Sequence, residues 1–273
     1  MMSNLFKRTI SGFVFIAIII CSVLWNFYSF AVVIGIIMVA GVWEFYVLIQ
    51  KSKIKPQKIT GLLIAVTIYT LFLPVYSCIN YNWIILILFL LIAIVFIYEL
   101  YKNKNPLTNI SCTLLGNIYI AVPFSLLVFI SNPVPFKINY NYEIPLGFFI
   151  LMWTYDTFAY LTGIYLGKHR LFERISPKKS WEGLIGGAFF ALLASYIVSL
   201  FLKELSFNDW FVISIIVIVF GTFGDLVESA FKRQVDCKDS GNIIPGHGGI
   251  LDRFDAILFA VPFVYIYLKL FVF

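Results

Sequence analysis

The sequence predicts an all-α integral membrane protein, a polytopic helical bundle, on three observations. Hydrophobic residues make up 61% of the 273 positions and charged residues only 12%, and mean hydropathy is +0.95, whereas a soluble domain carries roughly one quarter charged residues. The apolar residues fall in continuous runs near the length of about 20 that lets a helix cross the hydrocarbon. Within those runs apolar and polar residues do not alternate with period two, which excludes a transmembrane barrel.

Nine runs meet the criterion, near residues 10–25, 28–49, 59–76, 83–100, 110–131, 146–165, 184–202, 210–224 and 255–272, of which the first and eighth are short. The first follows a charged start, as a secretory signal would. No small-residue cleavage site precedes the next run, so it reads as a retained span. Basic residues orient the bundle. Lys7 and Arg8 precede the first span; Lys51, Lys53, Lys55 and Lys58 follow the second; Lys102 and Lys104 follow the fourth. Lys168, Arg170, Arg174, Lys178 and Lys179 follow the sixth, and Lys232, Arg233, Lys238 and Arg253 follow the eighth. Of the 20 Lys and Arg residues, only Lys137, Lys203 and Lys269 are left for the opposite side. The expectation is an N-terminus in the cytosol and a C-terminus outside.

That asymmetry accounts for most of the formal charge of +6. A basic inner face suits anionic lipid headgroups, and no basic segment is interleaved with aromatics in a soluble module, so nucleic acid is set aside. Cys21, Cys78, Cys112 and Cys237 form no CxxC pair and read as packing residues. Residues 1–105 read as amino-terminal transmembrane helices with short basic loops. Polar chemistry concentrates in 106–273, chiefly in motifs within 150–256.

Three clusters carry it. Asp156 sits inside the sixth span, in Trp153-Thr-Tyr-Asp-Thr-Phe-Ala-Tyr160. A carboxylate there is costly and should face the bundle interior or a wet cavity, the alternative being a protonated acid bonded to a neighbouring helix. Ser176-Pro-Lys-Lys-Ser-Trp-Glu-Gly183 comes second. Ser176 followed by Pro177 reads as a helix start, which would set Lys178 and Lys179 against the positive end of the helix dipole unless an anion such as phosphate binds there. Simple interfacial anchoring is the alternative. Gly183, Gly186 and Gly187 read as close helix packing rather than a phosphate loop, which would need a preceding strand.

The third cluster runs from Gly224 to Asp255. On a helix Asp225, Glu228, Ser229 and Lys232 share one face. Lys238-Asp239-Ser240-Gly241, Pro245-Gly246-His247-Gly248-Gly249 and Asp252-Arg253-Phe254-Asp255 follow. Gly246, Gly248 and Gly249 let backbone approach a ligand and adopt positive φ. Asp252 and Asp255, three apart, point the same way on a helix, and with Asp225 they offer oxygen ligands to a hard cation such as Mg²⁺. Zinc is disfavoured, because His247 has no Cys or second His at ligand spacing.

The run S-A-F-K-R, four residues, K-D-S-G-N-I-I-P-G-H-G-G-I-L-D-R-F-D, with G-D-L-V-E-S and S-P-K-K-S-W-E-G upstream, resembles the phosphatidate cytidylyltransferase (CDP-diacylglycerol synthase) family. Ser180 stands where Thr is more usual there and keeps the hydroxyl. The resemblance implies transfer of CMP from CTP to phosphatidic acid in the bilayer, giving CDP-diacylglycerol and pyrophosphate. It also implies a magnesium site with room for a second cation such as K⁺, and a homodimer. Asp225 and Asp252 are then the first metal ligands, with Asp255 and Asp239 next. Lys178, Lys179, Lys232, Arg233 and Lys238 would neutralise phosphates, and Ser180 and Ser229 would line the substrate site. Gly246, His247, Gly248 and Gly249 would form the floor under the nucleotide phosphates, with His247 a candidate proton donor to the leaving group. Asp156 and Glu182 would orient ligands, and Arg253 would balance the acids beside it. A related transferase acting on an isoprenoid lipid would need the same nucleotide site. A secondary transporter fits poorly, because no internal repeat is visible and the charges gather toward one face. The expected location is the cytoplasmic membrane of a bacterium, with the site facing the cytosol.

Overall fold

The computed structural model describes residues 4–73, 81–102, 105–132, 140–241, 243, 246 and 248–273, with side chains from residue 10 onward. Cys78, Lys104, Lys137, Pro245 and His247 lie outside the described residues. The chain is built from α1 (Asn4–Trp25), α2 (Phe27–Gln50), α3 (Lys58–Phe72), α4 (Tyr81–Leu100), α5 (Pro106–Gly116), a π-helical turn (Asn117–Ala121), α6 (Val122–Phe129), α7 (Glu143–Leu166), β1 (Arg170–Phe172), β2 (Ser176–Ser180), α8 (Trp181–Phe201), α9 (Phe207–Gln234) and α10 (Leu251–Phe271).

Among the described residues seven segments are long and apolar enough to cross a membrane: α2, α4, Pro106–Phe129, α7, α8, α9 and α10. Each of the nine apolar runs coincides with a helix, but Ile10–Trp25 and Lys58–Phe72 are shorter apolar helices. At 1.5 Å per residue the 15 residues of α3 reach about 22 Å, less than a hydrocarbon core of about 30 Å. The remainder of the expected 59–76 run passes into undescribed residues.

Local sequence explains the helix starts. Asn26 caps α2, its Oδ1 accepting from the Ser29 N–H at 2.9 Å, and Ser206 with Asp209 forms a capping box on α9. Pro106 opens α5, where its missing N–H costs nothing. α9 continues past its apolar part to Gln234, so Asp225, Glu228, Ser229 and Lys232 do lie on one helix.

One element departs from expectation. Ser176–Ser180 is not the first turn of a helix but a strand, paired antiparallel with Arg170–Phe172 in a small two-stranded sheet. Extended backbone before a proline suits an N-cap and a strand alike, and pairing with Arg170–Phe172 decides for the strand. The helix starts four residues later, with Ser180 Oγ accepting from the Gly183 N–H at 3.1 Å. Lys178 and Lys179 therefore sit on the strand that leads into α8.

α7, α8, α9 and α10 pack on one another, while α2, α3, the π-helical turn and α6 form the adjoining half. A Cβ at Gly183 would stand 3.2 Å from Gly163 Cα, and one at Gly187 would stand 2.8 Å from Ala159 Cβ. These glycines let α8 lie against α7, as the packing reading expects.

Candidate active site

The ends of α7, α9 and α10, the β hairpin and the start of α8 enclose a cavity of about 740 Å³. Asp156 from α7, Asp225 from α9 and Asp255 from α10 line it, together with Lys178 and Lys179 from β2, Arg170 from β1 and Arg253. Acids and cations from five elements thus face one space. Gly224 makes the α9–α10 side possible, since a Cβ there would lie 2.8 Å from Phe259 Cβ.

Asp225 is the most directly contacted of the three acids. Lys179 Nζ stands 2.5 Å from its Oδ2, with the two side chains 27% and 36% exposed. Ser229 Oγ donates to its Oδ1 at 3.2 Å, one helical turn on. Under the cavity the Tyr155 and Thr222 hydroxyls share a hydrogen bond of 2.5 Å.

Asp252 also borders the cavity, but the protein's own donors hold it. Lys232 Nζ reaches its Oδ1 at 2.7 Å, while Oδ2 accepts from the Gly249 N–H at 2.8 Å and the Ser240 N–H at 3.0 Å, with Ser240 Oγ 2.9 Å away. Lys232 is shared with the buried Glu228 at 2.5 Å. The carboxylate thus ties α9, the loop after it and α10 together. Gly246 (φ +76°) and Gly248 (φ +87°) occupy backbone that disfavours a side chain, and a Cβ on Gly248 would come within 2.6 Å of Asp252 Oδ2.

The other expected residues separate into those at the cavity and those away from it. Ser180 lines it as well as capping α8. Glu182 faces the hairpin, accepting from the Lys168 N–H at 3.1 Å and the His169 N–H at 3.2 Å, with His169 Nδ1 at 2.6 Å. Arg233 is exposed and donates to the Ile175 carbonyl at 3.4 Å, joining α9 to the same hairpin. Lys238 and Asp239 are exposed in the loop beyond α9 and are not among the cavity-lining residues. Gly249 is buried beside Asp252 and Ser240. Glu44, in the half of the chain where no site residue was expected, accepts from Ser240 Oγ and from the Ile250 N–H at 2.9 Å. An acid inside the apolar run Val42-Trp-Glu-Phe45 was the available signal, by the insertion-cost argument that singled out Asp156.

Among the described residues no three acidic, imidazole or thiol side chains converge closely enough to enclose a metal by themselves. The donors nonetheless suit a hard cation of the Mg²⁺ type, which uses one or two carboxylates and completes its shell with water and substrate phosphate. The ammonium of Lys179 against Asp225 marks where positive charge is favoured.

A family model described as "Cytidylyltransferase family" matches residues 6–271. The phosphatidate cytidylyltransferase of Bacillus subtilis (strain 168) is 34% identical over 255 residues, covering 89% of this chain and 93% of that protein. The enzyme of the same name from Staphylococcus aureus (strain COL) is 37% identical over 228 residues, 81% of this chain and 84% of its own. That from Rickettsia bellii (strain RML369-C) is 39% identical over 187 residues, 66% and 78%. With nearly its whole length matched, and with its acids and cations gathered around one cavity among apolar helices, the chain belongs to the cytidylyltransferase family.

Proposed function

We propose that the chain is a membrane-embedded phosphatidate cytidylyltransferase. A phosphate oxygen of phosphatidic acid attacks the α-phosphorus of CTP, the bond to the bridging oxygen breaks, and CDP-diacylglycerol and pyrophosphate form. The observation that carries this reading is the cavity in which Asp156, Asp225 and Asp255 face Lys178, Lys179, Arg170 and Arg253. It is large enough for nucleotide phosphates and is built within a bundle of lipid-crossing helices.

The nucleophile is already an anion near neutral pH, so the difficulty is to bring two polyanions together and stabilise charge developing on pyrophosphate. Lys178, Lys179 and Arg170 would neutralise phosphate oxygens from the hairpin side. Asp225 and Asp255 would hold Mg²⁺, with Asp156 orienting its shell; when bound, the ion supplies charge neutralisation across the phosphates of CTP. Lys179 would leave Asp225 for a phosphate as the cation binds. Asp252 and Lys232 would keep the glycine loop against the cavity.

The placement of basic residues supports nine crossings with the amino terminus and the cavity at the cytosolic side, where CTP is found, and a bacterial cytoplasmic membrane as the location. A homodimer is part of the same reading and is checked by the mass of the detergent-solubilised particle.

The test is CTP-dependent formation of CDP-diacylglycerol and stoichiometric pyrophosphate by the purified protein in detergent, with and without Mg²⁺. Metal-dependent product is expected. Folded protein that binds CTP yet turns over an isoprenoid phosphate and not phosphatidic acid would reassign the lipid.

A further inference from the structure

Glu44 lies in α2, far in sequence from every motif, and is 3% exposed. Its described partners are the Ser240 hydroxyl and the backbone N–H groups of Ile250, at 2.9 Å, and Leu251, at 3.3 Å. Those two N–H groups open α10, whose own N-cap residue, Ile250, offers no side-chain acceptor. A helix start leaves its first N–H groups unpaired and carries partial positive charge, and a carboxylate answers both. Glu44 therefore caps α10 from another helix.

The glycines of the loop fit this arrangement. A Cβ on Gly241 would stand 2.9 Å from Glu44 Cδ, and one on Gly249 would overlap Glu44 Oε1 and Ser240 Oγ. Space that two side chains could fill is kept for the carboxylate. Ser240 in turn donates its N–H to Asp252 Oδ2, and its hydroxyl, with a single proton between the two carboxyl groups, stands 2.9 Å from the same oxygen, so Glu44 lies one residue removed from the Asp252 knot. Asp252 and Asp255 stand in the first two turns of the helix it caps.

We propose that Glu44 is a positioning residue for nucleotidyl transfer: by capping α10 and holding Ser240 it fixes where Asp252 and Asp255 stand relative to Asp225 across the cavity. The proposal rests on the function given above for that cavity. It assigns a catalytic contribution to the amino-terminal half without contact between Glu44 and substrate.

The test uses the full-length protein in detergent and the variants Glu44→Gln, which keeps side-chain volume, Glu44→Ala and Ser240→Ala. Glu44→Gln is expected to lower kcat about tenfold or more and to raise the Mg²⁺ needed for half-maximal rate, because small misplacements of catalytic groups are costly. KM for CTP should move less than about threefold. Combining Glu44→Gln with Ser240→Ala should cost little beyond the worse single change, since both act along one path. Folded Glu44→Gln with kcat within about twofold of the parent would overturn the assignment. So would failure of both Glu44 variants to fold while Ser240→Ala keeps full activity, which would make Glu44 a folding residue. Amide exchange over residues 249–254, which needs no substrate, should speed up about tenfold in Glu44→Gln. Unchanged exchange overturns the cap even if the parent makes no CDP-diacylglycerol, whereas an inactive parent alone overturns the function.

Discussion

Two groups of carboxylates stand at one end of the bundle in opposite conditions. Asp252, Glu228 and Glu44 are occupied from within: Lys232 bridges the first two, and Ser240 and the backbone of the glycine loop occupy the first and third. Asp156, Asp225 and Asp255 line the cavity that Asp252 also borders, but with fewer donors of the protein's own among the described contacts. Asp225 has one half-exposed ammonium and one hydroxyl, and Asp255 accepts from the N–H of Ala256. A carboxylate among apolar helices is costly unless something answers its charge. In the first group the fold answers it. In the second, under the function proposed above, a cation and phosphates arriving with the substrate would answer it.

Breaking the second group should cost the most activity and the least stability. Asp225→Asn removes the charge from a group whose only described protein donors are the partly exposed Lys179 and the Ser229 hydroxyl. Turnover is expected to fall about 10²–10³-fold, or ~3–4 kcal/mol, as when one preorganised electrostatic element is lost. The thermal midpoint in detergent should stay unchanged. Turnover within about tenfold of the parent at saturating Mg²⁺ would move the cation away from Asp225.

Breaking the first group should damage both. Asp252→Asn withdraws the partner of a largely buried ammonium and leaves the Ser240 and Gly249 N–H groups facing a weaker acceptor. Loss of one member of a buried pair costs on the order of 3 kcal/mol. Lower activity should therefore come with a lower midpoint and faster proteolysis of the 236–250 loop. Lost activity at an unchanged midpoint would transfer Asp252 to the ligand-holding group.

The sequence could place the acids but could not divide them in this way. Among the described residues hydropathy located the seven helices long enough to cross a membrane, because a lipid-crossing segment has to satisfy its own backbone and must be apolar along its length. Asp225, Asp252 and Asp255 were legible from helical spacing and from the motif run. Their division was not, since it depends on Ser240 and Gly249 folding back onto Asp252 across a loop. Glu44 escaped notice because its partners lie some two hundred positions away. The Ser176-Pro177 signal misled because the same dipeptide that can open a helix also favours extended backbone, and pairing with Arg170–Phe172 decided between them. Glu182 was expected near ligand, whereas the folded chain gives it to the N–H groups of Lys168 and His169.

The smaller effects sharpen the boundary of the cavity. Lys179 pairs with Asp225 at partial exposure, where an ion pair adds at most about 1 kcal/mol to stability. Lys179→Ala should leave the midpoint alone and raise KM for CTP about fivefold, or ~1 kcal/mol, the scale of one partly solvated phosphate contact. An unchanged KM for both substrates would return Lys179 to interfacial anchoring. Asp239→Asn tests the outer limit. Its side chain is exposed in the loop and does not line the cavity, although it neighbours Ser240, which grips Asp252. If the division between occupied and cavity-facing carboxylates is right, Asp239 belongs to neither group, and kcat/KM should stay within about twofold of the parent. A tenfold loss would bring that carboxylate into the ligand-holding set.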